Sequence, residues 1–181
     1  MRVTQSASLL VSVACAAICV AQAQVTPPSN HGALRMAART GVDPVGFVTH
    51  AALDGMTEVQ LGKIALNNSQ NPTIRQFAQR MVQAHGKSTA ELGSIAKRKG
   101  LEVPGTLDTE HQATIQRLSA KSGPAFDAAY VAHVSMAQDT VIALFEGGSE
   151  SSDPDLAAFA RKTLPSLQAY KKMADALPRQ G

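Results

Sequence analysis

The sequence predicts an all-α protein, a bundle of four long helices with one short extra crossover helix. Apolar residues recur at spacings of three and four along four long stretches, as a helix face requires. Two of those stretches open on Asp43-Pro44 and Asp153-Pro154, a capping carboxylate followed by a proline in the first turn. No run alternates apolar and polar residues as a strand would, and no fixed-period repeat is present.

The first helix is expected from Asp43-Pro44 to about Asn68, about 37 Å at 1.5 Å per residue. One stripe of it reads Phe47, Ala51, Asp54, Glu58, Leu61 and Ala65. Gly55 and Gly62 lie beside that stripe and allow a neighbouring helix to come close. Ser69-Gln70-Asn71 is a short connection, so the second helix, from Pro72 to Lys99, forms an antiparallel hairpin with the first. Its stripe is Ile74, Ala78, Met81, His85, Ser88, Leu92 and Ile95, and Gly100 supplies a left-handed cap. Leu101 to Leu107 is a loop, and Asp108 to Ala120 a short helix carrying Ile115 and Leu118.

Ser122-Gly123-Pro124 ends that short helix and starts the next long one, from Pro124 to about Glu146. Its inward face runs through Val131, Val134, Gln138, Val141 and Phe145, with Tyr130 flanking and His133 at the edge. Gly147 to Ser152 reads as a polar loop. The last helix runs from Pro154 to about Ala176, with Leu156, Phe159, Thr163, Leu167, Tyr170 and Ala174 inward. Pro165 inside it removes one hydrogen bond and crowds the carbonyl of Arg161. The stretch 100–123 is long enough to cross the bundle, which gives a ferritin-like topology; simple up-down-up-down is the alternative.

Residues 1–23 read as a secretory signal peptide: a basic start at Arg2, an apolar small-residue run, and Ala21-Gln22-Ala23 as the cleavage site. Residues 24–42 are a flexible polar lead, and 43–178 form the bundle domain. The protein is expected in the periplasm or secreted, in the cell envelope, and not integral to the membrane after cleavage at Ala23. Both cysteines, Cys15 and Cys19, lie in the removed segment. The mature chain therefore has no disulfide, thiolate nucleophile or Cys-ligated metal. The 17 Lys and Arg against 14 Asp and Glu make the chain only mildly basic, and aromatics are 4% of it. That balance, in an exported chain, argues against a nucleic-acid partner.

Each long helix carries a polar residue near its midpoint on the inward face: Glu58, His85, Gln138 and Tyr170. Midpoints of bundle helices coincide whatever their direction, so these four can form one layer. Asp54 lies one turn from Glu58, and His50 one turn further. Three arrangements suit such a layer: a hydrogen-bonded polar layer, with His85 partnered by Glu58 and Tyr170 donating; a transition-metal site on Glu58 and His85 with Asp54 or His50; or a small-ligand pocket. Iron, manganese or zinc fits N/O ligands of this kind. No Glu is followed three residues later by His, so the di-iron carboxylate pattern is absent. No nucleophile-elbow or phosphate-loop motif occurs either.

The chain resembles a bacterial exported family, domain of unknown function 4142, whose members are often labelled outer membrane proteins. The resemblance rests on Glu58-Val59-Gln60-Leu61-Gly62, on Phe77-Ala78-Gln79-Arg80-Met81-Val82 with Ala84-His85, on Phe126-Asp127-Ala128-Ala129-Tyr130 with Leu144-Phe145, and on Leu164-Pro165-Ser166-Leu167. It implies a ferritin-like helical bundle over about Phe47 to Leu177. It also implies a second Glu at the position of Gln60, Asp at that of Ala84, and histidines where this chain has Gln138 and Tyr170. These residues together point to an exported cell-envelope bundle without catalytic activity, in a binding, structural or stress-related role toward a protein or small ligand. The alternative is a ferritin-like metal-binding protein with a degenerate mid-bundle site.

Overall fold

The structure, a computed structural model, describes residues 42–178. The predicted signal peptide and the lead as far as residue 41 lie outside them. Five helices follow in order: α1 (Pro44–Asn68), α2 (Pro72–Arg98), α3 (Thr109–Ser119), α4 (Gly123–Ser149) and α5 (Pro154–Asp175). No strand occurs among the described residues.

The helix starts are set by their capping side chains. Asp43 accepts from the backbone N–H groups of Val45 and Gly46, each at 3.0 Å. Asn71 does the same for Thr73 and Ile74, Asp108 for His111, and Asp153 for Asp155 and Leu156. These bonds satisfy donors that the first turn leaves without a helical partner. Gly100, at φ +67°, takes the left-handed cap after α2. α5 runs through Pro165 without interruption, and the Thr163 hydroxyl donates to the Phe159 carbonyl at 2.8 Å.

α4 extends past Glu146 to Ser149, so the expected loop begins three residues later. Gly147 and Gly148 are buried helix, not loop. A Cβ on Gly148 would collide with the Phe47 ring, which explains the local sequence: the missing side chain makes room for the aromatic cluster of Phe47, Phe145 and Phe159. Val42, at the end of the predicted lead, is buried in the same cluster.

Two apolar clusters make up the core and fix the directions of the helices. One joins the start of α1 (Phe47, Val48), the end of α2 (Leu92, Ile95), the end of α4 (Val141, Phe145) and the start of α5 (Leu156, Phe159). The other joins the end of α1 (Leu61, Ala65), the start of α2 (Ile74, Phe77), the start of α4 (Phe126, Tyr130) and the end of α5 (Ala174). Hence α1 and α2 form one antiparallel hairpin, and α4 and α5 another. α2 and α4 point the same way, so the chain between them must return the length of the bundle. This is the ferritin-like arrangement. α3 lies on that return path against α1 and α4, anchored by Leu118, its one buried residue.

Close approach of α1 and α2 depends on glycine. A Cβ on Gly62 would stand 2.7 Å from Val82 Cγ2 and 3.2 Å from the Ala78 carbonyl, and one on Gly55 would strike Thr89 Oγ1. At the far end Lys99 clamps α2 to the start of α5, with Nζ 2.8 Å from both Asp153 and Asp155. α4 is long and apolar enough to cross a membrane by length and composition alone. In the bundle its apolar face is spent on α1 and α5.

Candidate functional site

The two apolar clusters do not meet. Along α1 the first cluster ends at Ala52 and the second begins at Leu61; on α4 the gap lies between Val134 and Val141. Glu58, His85 and Gln138 occupy that gap, at 2%, 6% and 0% exposure. Tyr170 stands at the same level on α5 but is only half-buried, its ring centroid 6.4 Å from that of His85.

The polar atoms of this layer are closed to solvent, yet several have no hydrogen-bond partner. They include Glu58 Oε2, His85 Nε2, both amide atoms of Gln138, Tyr130 OH and His133 Nε2. Buried polar atoms are nearly always satisfied, and each orphan costs free energy. So many in one layer is a concentration that packing alone does not explain. Glu58 is the hub. His133 Nε2 approaches its Oε1 to 3.5 Å, without the alignment of a hydrogen bond. The Glu58 carboxylate also acts electrostatically on His85 and Tyr130.

Burial pushes the His85 imidazole below its usual range, and outweighs the pull of Glu58 and Asp54 in the other direction. His85 is therefore neutral at pH 7. Burial, assisted by Glu58, holds the Tyr130 phenol well above its usual value, so it stays protonated. His111 on α3 behaves in the opposite way. Asp54 and Asp108 raise it to about 9, with Nε2 3.5 Å from Asp54 and Nδ1 2.6 Å from Asp108. Asp54 thus stands between a neutral histidine and a charged one.

Two cavities flank the layer and share Asp54 as a wall. One, of about 220 Å³, opens between α2 and α5 and is bordered by His85, Tyr170 and the apolar side chains beneath them. The other, of about 460 Å³, lies between α1, α3 and α4 and is lined by His50, Asp54, Glu58, His111 and His133. The residues singled out from the sequence therefore divide. His85 and Tyr170 border the first cavity, His50 and Glu58 the second, and Gln138 the closed layer between. Among the described residues, no three His, Asp or Glu side chains come together as ligands for one ion.

Sequence reasoning missed His111 and left His133 at the margin. α3 is short and amphipathic, and nothing local says that it lies over Asp54. His133 sits one residue before Val134 on the inward face, and that spacing was the available signal.

The model of the family described as "Domain of unknown function (DUF4142)" matches residues 29–177. No curated protein matches the chain. Among solved structures, the "Crystal structure of DUF305 fragment from Deinococcus radiodurans" is similar, with TM-score 0.65 and 16% identity. The match covers 73% of this chain and 92% of that one. At that identity the likeness is one of fold.

Proposed function

The chain belongs to the DUF4142 family, and from that premise we propose that it is a non-catalytic cell-envelope bundle that binds a small ligand at its mid-bundle polar layer. One observation carries this: unpartnered buried polar atoms on α1, α2 and α4 converge at one level, flanked by two cavities. A layer kept only to fix helix register would gain from satisfying its own hydrogen bonds. His85 and Glu58, which border the two cavities, are the members of the layer nearest to an entering ligand. The envelope location rests on the signal-peptide pattern of residues 1–23.

The shared feature of the layer's groups is hydrogen-bonding capacity. The experiment is non-denaturing mass spectrometry of the protein isolated from its native envelope without chelator, wild type against Glu58→Gln and His85→Ala, at the two layer residues that border the cavities. A stoichiometric low-mass adduct, lost in the variants, is the expected result. Its absence from wild type overturns the proposal.

A second reading has one observation in its favour. Glu58 Oε1 and His133 Nε2 stand 3.5 Å apart without bonding, close to the separation of two ligands on one tetrahedral ion. The neutral imidazole of His85 is also a competent ligand form. Against it, Gln138 and Tyr170 are weak transition-metal ligands in place of the histidines implied by resemblance. Elemental analysis of the same preparation decides: stoichiometric iron, manganese or zinc that disappears in His85→Ala establishes the metal reading.

A further inference from the structure

We propose that the face formed by α2 and α5 docks the protein on an anionic lipid bilayer, its lysines and arginines meeting the phosphate headgroups. The proposal goes beyond the ligand reading and stands without it. Charge is divided between the two sides of the bundle. α2 and α5 carry nine lysines and arginines against three carboxylates. α1, α3 and α4 carry six carboxylates against two such cations. The carboxylates of the basic side are all paired: Glu91 with Lys162 at 2.7 Å, Asp155 with Lys99 at 2.8 Å and Asp175 with Lys171 at 2.5 Å. The charge left over on that side is positive.

Arg80, Lys87 and Arg98 are exposed, and none of them has a carboxylate partner among the described residues. Steps of seven and eleven residues set them on one edge of α2, over about 27 Å at 1.5 Å per residue. This is the edge toward α5: Arg80 Nη1 lies 3.7 Å from Met173 Sδ, and Glu91 on the same line reaches Lys162. Lys172, also exposed and without a carboxylate partner, adds a cation on α5. The helix dipole accounts for Arg98 in the last turn of α2, but not for Arg80 and Lys87, which stand well before it.

The kind of partner follows from what the face lacks. A stable protein interface is built around buried apolar or aromatic anchors. The large hydrophobic side chains exposed among the described residues, Val45 and Met136, are on α1 and α4 instead. An anionic bilayer needs no such anchor, because its surface potential attracts a spread of cations. The acidic side of the bundle then faces away from the lipid. Lys87 and Lys162 border the cleft between α2 and α5, so docking turns the mouth of that cleft to the bilayer.

The test is co-sedimentation of the protein, isolated from its native envelope, with vesicles of phosphatidylglycerol and phosphatidylcholine in equal parts, against vesicles of phosphatidylcholine alone. Binding to the anionic vesicles is expected, with release as salt is raised. Lys87→Gln combined with Arg98→Gln should weaken it about 25-fold, a factor of about five per cation. Lys63→Gln combined with Lys121→Gln removes as much charge from exposed positions off this face and should leave binding nearly unchanged. Circular dichroism melts check that both double variants fold. No binding, equal binding to phosphatidylcholine alone, or equal weakening by the two pairs overturns the proposal. Binding to soluble polyglutamate without binding to anionic vesicles assigns the face to an acidic protein and overturns it as well.

Discussion

Replacing Gln138 with leucine is expected to stabilise the protein. Gln138 is fully buried at the centre of the bundle, and neither its amide oxygen nor its amide nitrogen has a partner. An amide buried without hydrogen bonds costs about 1–3 kcal/mol on the scale of protein mutational data. Leucine has similar volume and no polar atom, and Val134 and Val141 lie one turn away on either side. A gain of about 2 kcal/mol follows, or about 4–8 °C in Tm for a domain of this size. Circular dichroism at pH 7, with reversibility checked by rescanning, measures it. Gln138→Ala serves as the control: it removes the same polar atoms but leaves a cavity, so its Tm falls below that of the leucine variant. A drop of several degrees in Gln138→Leu would refute the reasoning, because it would mean that the amide is bonded in the folded protein.

The other predictions concern pH and packing. The unfolded chain binds the His85 proton more readily than the folded one, so wild-type stability falls as pH drops below about 6.5. His85→Leu should flatten that acid limb in melts at pH 5 to 7. For His111 the folded state holds the proton, up to about 9, so its contribution is complete below about 6.5 and lost as pH rises toward 9. His111→Gln should therefore lower Tm most near pH 6 and hardly at all above pH 9, where an undiminished difference would sink the assignment. Gly62→Ala should cost about 1–3 kcal/mol in chemical denaturation, because its Cβ meets Val82 and the Ala78 carbonyl. Leu118→Ala should cost about 2–5 kcal/mol and speed amide exchange in α3 more than in the long helices.

Much of the fold was legible because the signals were local. Asp43-Pro44 and Asp153-Pro154 state helix starts in two residues, and both capping bonds form. The stripe from Ile74 to Ile95 names the buried face of α2, and its members other than Ser88 are buried. The end of α4 was not legible. Gly147-Gly148 carries a loop composition, and it is Phe47, a hundred residues earlier, whose ring leaves no room for a side chain at Gly148 in the helix. The site divides the same way. Glu58, His85 and Gln138 could be placed at one level from helix midpoints alone. That their atoms remain unbonded, and that His133 and His111 come to Glu58 and Asp54, depends on helix rotation and on the path of the crossover. Periodicity specifies neither.

The crossover has a consequence for the site beyond topology. Because α3 covers one side of the bundle, the cavity between α1, α3 and α4 is walled by charged groups: Asp54, Glu110, Arg117 and the raised imidazole of His111. The cleft on the opposite side has no covering helix, and the Lys162–Glu91 pair is the one ion pair that spans its mouth among the described residues. Asp54 belongs to both. Its pairing with His111 turns part of its charge toward α3, and so lowers the field that it presents to His85. A helix placed over one face thereby sets the polarity of the other. Removing the His111 cation should expose His85 to the full Asp54 carboxylate and raise the His85 pKa toward its usual value. Imidazole NMR titration of wild type and His111→Gln reads that shift directly, and an unchanged His85 would show that the two cavities are electrostatically independent.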